Sequence, residues 1–143
     1  VTPVAARGPI VIDTDIFSSD LTSGARLAEL YAPIIVGRSA FISFQTATEL
    51  RYGAARRGWG VTRMTRLEAK LAQAVVVHSG DELVAVAARL RADCAAVGHA
   101  RCQKQHTADL WIASTAIRLG MPLVSNDGIF RDAPGLTLET IPA

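Results

Sequence analysis

Asp13, Glu49, Asp109 and Asp127 are acidic residues set in apolar surroundings: V-I-D-T, A-T-E-L, A-D-L-W-I-A and L-V-S-N-D. An isolated Asp or Glu is ordinarily a solvated surface group. Bringing several carboxylates into a poorly solvated pocket costs free energy through desolvation and mutual repulsion, unless a cation offsets both. Oxygen-only ligation favours a hard ion, Mg²⁺ or Mn²⁺, over zinc, and Mg²⁺ keeps several waters while taking only a few carboxylates. Such a site suits phosphoryl chemistry. The ion makes a nucleophile of water and stabilises charge on the phosphate and the departing oxygen, so no histidine or serine nucleophile is required.

Two other groupings compete for attention. Cys94, His99, Cys102 and His106 have the spacing C-x4-H-x2-C-x3-H, which on spacing alone suggests tetrahedral zinc. Cys94 falls on the apolar stripe of a helix, however, and a small core cysteine explains it without a metal. Both cysteines are expected as free thiols. Arg51, Arg56, Arg57, Arg63, Arg66 and Lys70 surround Trp59, with Glu68 as the intervening acid. That pattern suits a phosphate-tracking surface with an aromatic for base stacking, or else a solvated helix face or a protein-binding surface. Arg51, Arg56, Arg57, Trp59 and Lys104 are the candidate RNA contacts. Asp15, Asp20 and Asp132 are read as surface or supporting acids, with Asp15 nearest the site because it lies two residues beyond Asp13.

The elements that must position these groups follow from the apolar pattern. Pro9 to Ile12 is a short apolar run ending at Asp13, the mark of a buried strand that delivers an acid at its carboxyl end. Leu21 to Tyr31 reads as a helix stopped near Pro33, Ser39 to Ser43 as a strand, Phe44 to Arg57 as a helix closed by Gly58 and Gly60, and Thr62 to Gln73 as another helix. Val75 to His78 is a third strand. Ser79 and Glu82 then have the S-x-x-E spacing of a capping box, and Leu83, Val86, Ala87, Leu90, Cys94 and Val97 form one helical stripe. Thr107 is placed to cap a largely buried helix that ends at Gly120, Pro122 to Ser125 gives a fourth strand ending in Asn126 and Asp127, and Leu136 to Ile141 a fifth.

Strands alternating with helices predict an α/β fold, a mainly parallel sheet of four or five strands between helical layers. In such sheets ligands collect beyond the carboxyl ends of the strands, where Asp13 and Asp127 fall. A chain of 143 residues, half hydrophobic and a fifth charged, fits a single globular domain over residues 1–143. Net charge is only +2, so the balance alone does not announce a nucleic-acid partner. No apolar run is long enough to span a bilayer, and the opening Val1 to Ile10 lacks the stretch of a secretory signal, so no membrane partner and a cytoplasmic location are expected.

The ordered motifs resemble one family nearly end to end. V-I-D-T-D-I is similar to the opening strand of PIN domains, A-T-E-L-R-Y-G-A to their E-L-x-x-G segment, A-D-L-W-I-A-S-T-A to their D-x-x-I-A-A-T-A helix, and L-V-S-N-D-G-I-F to their closing strand motif. The likeness is greatest to the VapC-type toxins of bacterial toxin-antitoxin pairs. It implies a three-layer α/β/α fold and a Mg²⁺- or Mn²⁺-dependent endoribonuclease. Asp13, Asp109 and Asp127 would be the metal ligands, Glu49 would bind or orient water, and Thr14 and Ser125 would be hydroxyls that orient ligands or water. It also implies a homodimer inhibited by a VapB-type antitoxin whose tail covers the site. The segment A-A-V-G-H-A-R-C-Q-K-Q-H departs from the family by being longer and more polar. A housekeeping RNA-processing PIN nuclease and a non-catalytic RNA- or protein-binding PIN module are the alternatives, and retention of all four acids argues against the second.

Overall fold

The computed structural model describes residues 7–99 and 106–141. Strand β1 (Ile10–Ile12) is an unbroken apolar run buried along its whole length, as a strand covered on both faces requires. It is joined by β2 (Ala40–Ser43), β3 (Val75–Val77), β4 (Leu123–Val124) and β5 (Leu138–Glu139). The order across the sheet is β3-β2-β1-β4-β5, and each neighbouring pair is parallel. The connections turn one way from β1 to β2 and β3 and the other way to β4 and β5. The gap between β1 and β4 is therefore the switch point where such sheets take ligands.

The helices are α1 (Thr14–Phe17), α2 (Ala25–Ile35), α3 (Phe44–Arg56), α4 (Val61–Ala72), α5 (Asp81–Ala96) and α6 (Thr107–Leu119). Because strand side chains alternate, the core divides in two. Ile10, Ile12, Ile42 and Val124 pack with Ile16, Phe17, Tyr31, Leu67 and Leu71. Val11 and Leu123 pack on the other face with Leu90, Cys94, Ile112, Ala113 and Phe130. This is the expected three-layer α/β arrangement. Ser114 and Thr115 can be buried in α6 because their hydroxyls donate to the carbonyls of Leu110 (2.7 Å) and Trp111 (2.8 Å).

Several local expectations are corrected. The helix expected from Leu21 begins at Ala25, after turns in which Leu21 N–H donates to Ser18 O and the Ser19 hydroxyl to Ile16 O. A Cβ at Gly24 would stand 3.0 Å from the Ser19 carbonyl oxygen, so the chain needs glycine where it enters α2. Pro33 does not stop α2 but sits in its last turn. There the free carbonyls are met by arginines: Arg7 Nη2 donates to Pro33 O (2.7 Å) and Arg38 Nη1 to Ile34 O (3.3 Å). The Ser79–Glu82 capping box does not form, since Gly80 is the residue before α5 and no side chain caps it. Thr107 is the first residue of α6 rather than its cap, and His106 precedes it. On α5 the stripe holds at Leu83, Ala87, Leu90 and Cys94, but Val97 lies past the last turn and is 66% exposed. Gly120 ends α6 in the left-handed region at φ 64°, as its residue type favours.

The far strand β5 is held by Arg38, whose side chain is 2% exposed. It forks onto Glu139 (2.9 and 3.1 Å) and reaches the carbonyl of Gly8 (2.8 Å). Among the described residues, no helix is long and apolar enough to cross a membrane.

Candidate metal centre and nucleic-acid cleft

Three elements start at the carboxyl edge of the sheet, and each is capped by the residue that ends a strand or follows it. Asp13 after β1 accepts from Thr14 N–H (2.8 Å), Ser43 at the end of β2 from Gln45 N–H (3.1 Å), and Asp127 after β4 from Ile129 N–H (3.0 Å). Asp13 is thus fixed twice, by the strand behind it and by the helix turn it opens. It is 7% exposed. Its other oxygen, Oδ2, accepts from the Ser125 hydroxyl at 2.7 Å, and the same hydroxyl oxygen accepts from Asp127 N–H at 3.0 Å.

Burial pushes the Asp13 carboxyl up to about 6, against the pull of its hydrogen bonds to Ser125 and Thr14, and the nearby charges of Asp15 and Asp109 push the same way. Asp109 opens α6 and is also approached by His106 Nδ1, 3.4 Å from its Oδ2. Asp13 and Asp109 are therefore coupled by charge, and Asp13 and Asp127 by the shared serine. Glu49 lies on α3, where Gln45 Nε2 donates to it at 3.4 Å. It lines a cleft of about 510 Å³ with Thr14, Asp15, Arg56, Arg57 and Trp59. Among the described residues, no three His, Cys, Asp or Glu side chains are gathered as a metal-holding group.

The donor chemistry nevertheless fits a hard divalent cation. The donors are all oxygens, Asp13 is a buried carboxyl held by neutral hydrogen bonds with further acids beside it, and Mg²⁺ is commonly held by one or two carboxylates with water completing its shell. A tetrahedral zinc site is not supported. Cys94 is fully buried in the core, His99 Nε2 is 2.7 Å from the Arg131 carbonyl, and Cys102 lies outside the described residues.

Of the candidate RNA contacts, Arg56, Arg57 and Trp59 line the Glu49 cleft. Glu49, Gly53 and Arg56 follow the i, i+4, i+7 spacing of one helix face. Arg51, two residues from Glu49, turns elsewhere and pairs with Glu68 at 2.8 Å. Lys104 lies outside the described residues. The sequence reading missed Thr46, a fully buried residue whose hydroxyl is 3.0 Å from that of Thr14 and ties α1 to α3. It missed Tyr31 as well. That buried hydroxyl accepts from Ile141 N–H (3.0 Å) and stands 3.2 Å from Asn126 Oδ1 and from Thr140 Oγ1, joining the ends of β4 and β5. Asp15 contributes more than a surface acid would, since it walls the cleft with Glu49.

Among curated proteins none matches the sequence. Among solved structures, a chain of VapBC2 from Rickettsia felis, bound to a promoter DNA fragment, is 23% identical over 92% of this chain and 97% of that one, with a TM-score of 0.72. A chain of FitAcB from Neisseria gonorrhoeae is 22% identical over 90% and 95%, with a TM-score of 0.68. A chain of VapBC-5, a member of the VapBC family of toxin-antitoxin systems from Mycobacterium tuberculosis, is 24% identical over 96% and 99%, with a TM-score of 0.64. At these identities the likeness is one of fold. The sequence model of the PIN domain matches residues 10–136, which takes in all four acids, and the chain therefore belongs to the PIN-domain family.

Proposed function

We propose that this chain is a metal-dependent endoribonuclease, the toxin of a VapBC-type pair. The observation that carries the reading is the Asp13 carboxyl, held by Ser125 at the carboxyl edge of the sheet and raised first by its burial and then by the charges of Asp15 and Asp109. An acid so placed is costly unless a cation meets it. Asp13, Asp109 and Asp127 would hold Mg²⁺ or Mn²⁺, directly or through water. When bound, the ion supplies Lewis-acid activation of water and stabilises charge on the scissile phosphate.

The chain's own residues do the rest. Ser125 fixes Asp13 Oδ2 in place and, by accepting from the Asp127 amide, sets the turn that carries Asp127. Thr46 steadies Thr14 beside Asp13. Glu49, on the wall of the cleft, orients the attacking water. Arg56 and Arg57 hold phosphates of the RNA along the same wall. Attack by water rather than by the ribose hydroxyl leaves a 5′-phosphate and a 3′-hydroxyl.

The shared fold with chains of toxin-antitoxin complexes supports a small antitoxin of the VapB type as partner; a second copy of this chain, which the family resemblance implies, belongs to the same reading. A cationic antitoxin side chain entering between Asp13 and Asp109 would neutralise the site. The test is expression of wild type and Asp109→Asn at equal levels in a bacterial host. Arrest with RNA loss by the wild type alone supports the reading; arrest by both alike separates toxicity from catalysis and rejects it.

A further inference from the structure

The Glu49 cleft does not end at Trp59. Thr22, Ser23, Arg57 and Trp59 also wall an adjoining cleft of about 440 Å³, into which Arg63 and Arg66 reach from α4. These two are i, i+3 neighbours and share a helix face, while Arg57 enters from the end of α3. Among the described residues none of the three arginines makes an ion pair. The one acid of the cleft, Asp20, is taken by Lys70 at 3.1 Å, and Arg66 donates only to the Asp20 backbone carbonyl (3.3 Å). The Arg63 guanidinium lies 5.7 Å from the centre of the Trp59 ring, so the indole is a shelf for the arginine more than an open stacking face.

Guanidinium groups gathered without counter-charges repel one another and are stabilised by an anion, and their forked donors match phosphate oxygens. Resting on the nuclease reading above, we infer that this second cleft is a subsite for backbone phosphates of single-stranded RNA, some nucleotides away from the bond that is cut. Its size is that of a small-molecule site and suits a short stretch of one strand. Its continuity with the wall that carries Glu49 and Arg56 places both parts on one strand's path. An acidic protein segment held in this cleft alone is the competing occupant, and it would gain nothing from the continuity with the Glu49 wall.

The experiment compares wild type, Arg63→Ala/Arg66→Ala and the charge-keeping Arg63→Lys/Arg66→Lys, all at exposed positions of α4 and checked for unchanged melting. Binding of a fluorescent 12-nucleotide single strand in EDTA is followed against salt, together with cleavage of that strand and of a 3-nucleotide RNA in Mn²⁺. The alanine pair should bind the long strand about tenfold more weakly and lower the salt slope by about 1 to 1.5, at roughly 0.7 per phosphate contact. The lysine pair should keep most of the slope, and cleavage of the short RNA should stay within twofold in all three. If wild type cleaves RNA while the alanine pair binds and cleaves the long strand equally well, the inference is overturned and the nuclease reading stands. Loss of binding to a polyglutamate peptide without loss of RNA binding likewise assigns the cleft to an acidic protein partner and overturns it. If wild type cleaves neither RNA, the nuclease reading falls and takes this inference with it.

Discussion

Ser125 donates its hydroxyl to Asp13 Oδ2 at 2.7 Å across the gap between β4 and β1, so the acid at the end of the first strand is oriented by a buried residue more than a hundred positions later. Ser125→Ala should therefore do three things. It should cost about 1.5 to 3 kcal/mol of stability, as loss of a hydrogen bond to an ionised group does. It should raise the Asp13 carboxyl above its present value of about 6, because the hydrogen bond is the larger of the two influences holding it down. It should also weaken Mn²⁺ binding by about 10- to 100-fold, the usual effect of losing a partner that orients a ligand. Melting against pH and a Mn²⁺ titration check all three; unchanged Mn²⁺ affinity would remove Ser125 from the site.

Asp13→Asn should separate stability from activity. The carboxyl is raised on folding from 3.8 to about 6, so the folded state holds its proton more tightly than the unfolded chain does. Both states are protonated below about pH 3.8. Through the interval up to about 6 the unfolded chain loses its proton first, and folding becomes less favourable as pH rises. Above that interval the penalty is complete, on the order of 3 kcal/mol for the metal-free protein. Asparagine carries no such penalty. In EDTA the variant should match or exceed the wild type in melting temperature at pH 8 and lose that advantage by pH 4, while cleaving no RNA in Mn²⁺.

The acids stood out in the sequence because each lies beside apolar residues, and Asp13 and Asp127 follow the apolar runs of strands β1 and β4. Of the supporting hydroxyls, Thr14 and Ser125 were marked only by the family resemblance, and the partners they meet were not legible. Ser125 meets Asp13, and Thr46 meets Thr14, across long sequence separations, and a hydroxyl in a strand or helix carries no sign of its partner. Tyr31 reads simply as an apolar position of a helix, although its hydroxyl joins two strand ends. The start of α2 is misplaced because the turns after α1 bring Gly24 against Ser19, and apolar periodicity does not register such turns. Arg51 was grouped with Arg56 by proximity in sequence, but helical spacing sends it to Glu68 instead.

The Arg38–Glu139 pair should matter far more than Arg51–Glu68. Arg38 is 2% exposed and Glu139 29%, so Glu139→Ala leaves a buried guanidinium without its counter-charge and should destabilise by about 3 kcal/mol, the low end for a buried pair. Glu68→Ala removes a pair whose side chains are 58% and 48% exposed, and solvent screening limits its effect to about 1 kcal/mol at most. Urea denaturation of both variants checks the contrast. Equal losses would contradict it.

Tyr31→Phe removes the acceptor of the Ile141 N–H and the link to Asn126 and Thr140. The expected cost is about 1 to 2 kcal/mol, with faster amide exchange at Thr140 and Ile141 and little change at α5 and α6. Hydrogen exchange followed residue by residue tests it; uniform loosening of the whole fold would show a core defect rather than a broken joint.

The most direct test of the central claim is cleavage of a defined single-stranded RNA by the purified chain, with Mn²⁺ and with EDTA, followed by analysis of the product ends. Cleavage is expected only with the ion, with 5′-phosphate and 3′-hydroxyl ends, and is expected to be abolished by Asp109→Asn. Cleavage that survives exhaustive chelation, or products ending in a 2′,3′-cyclic phosphate, would contradict the account.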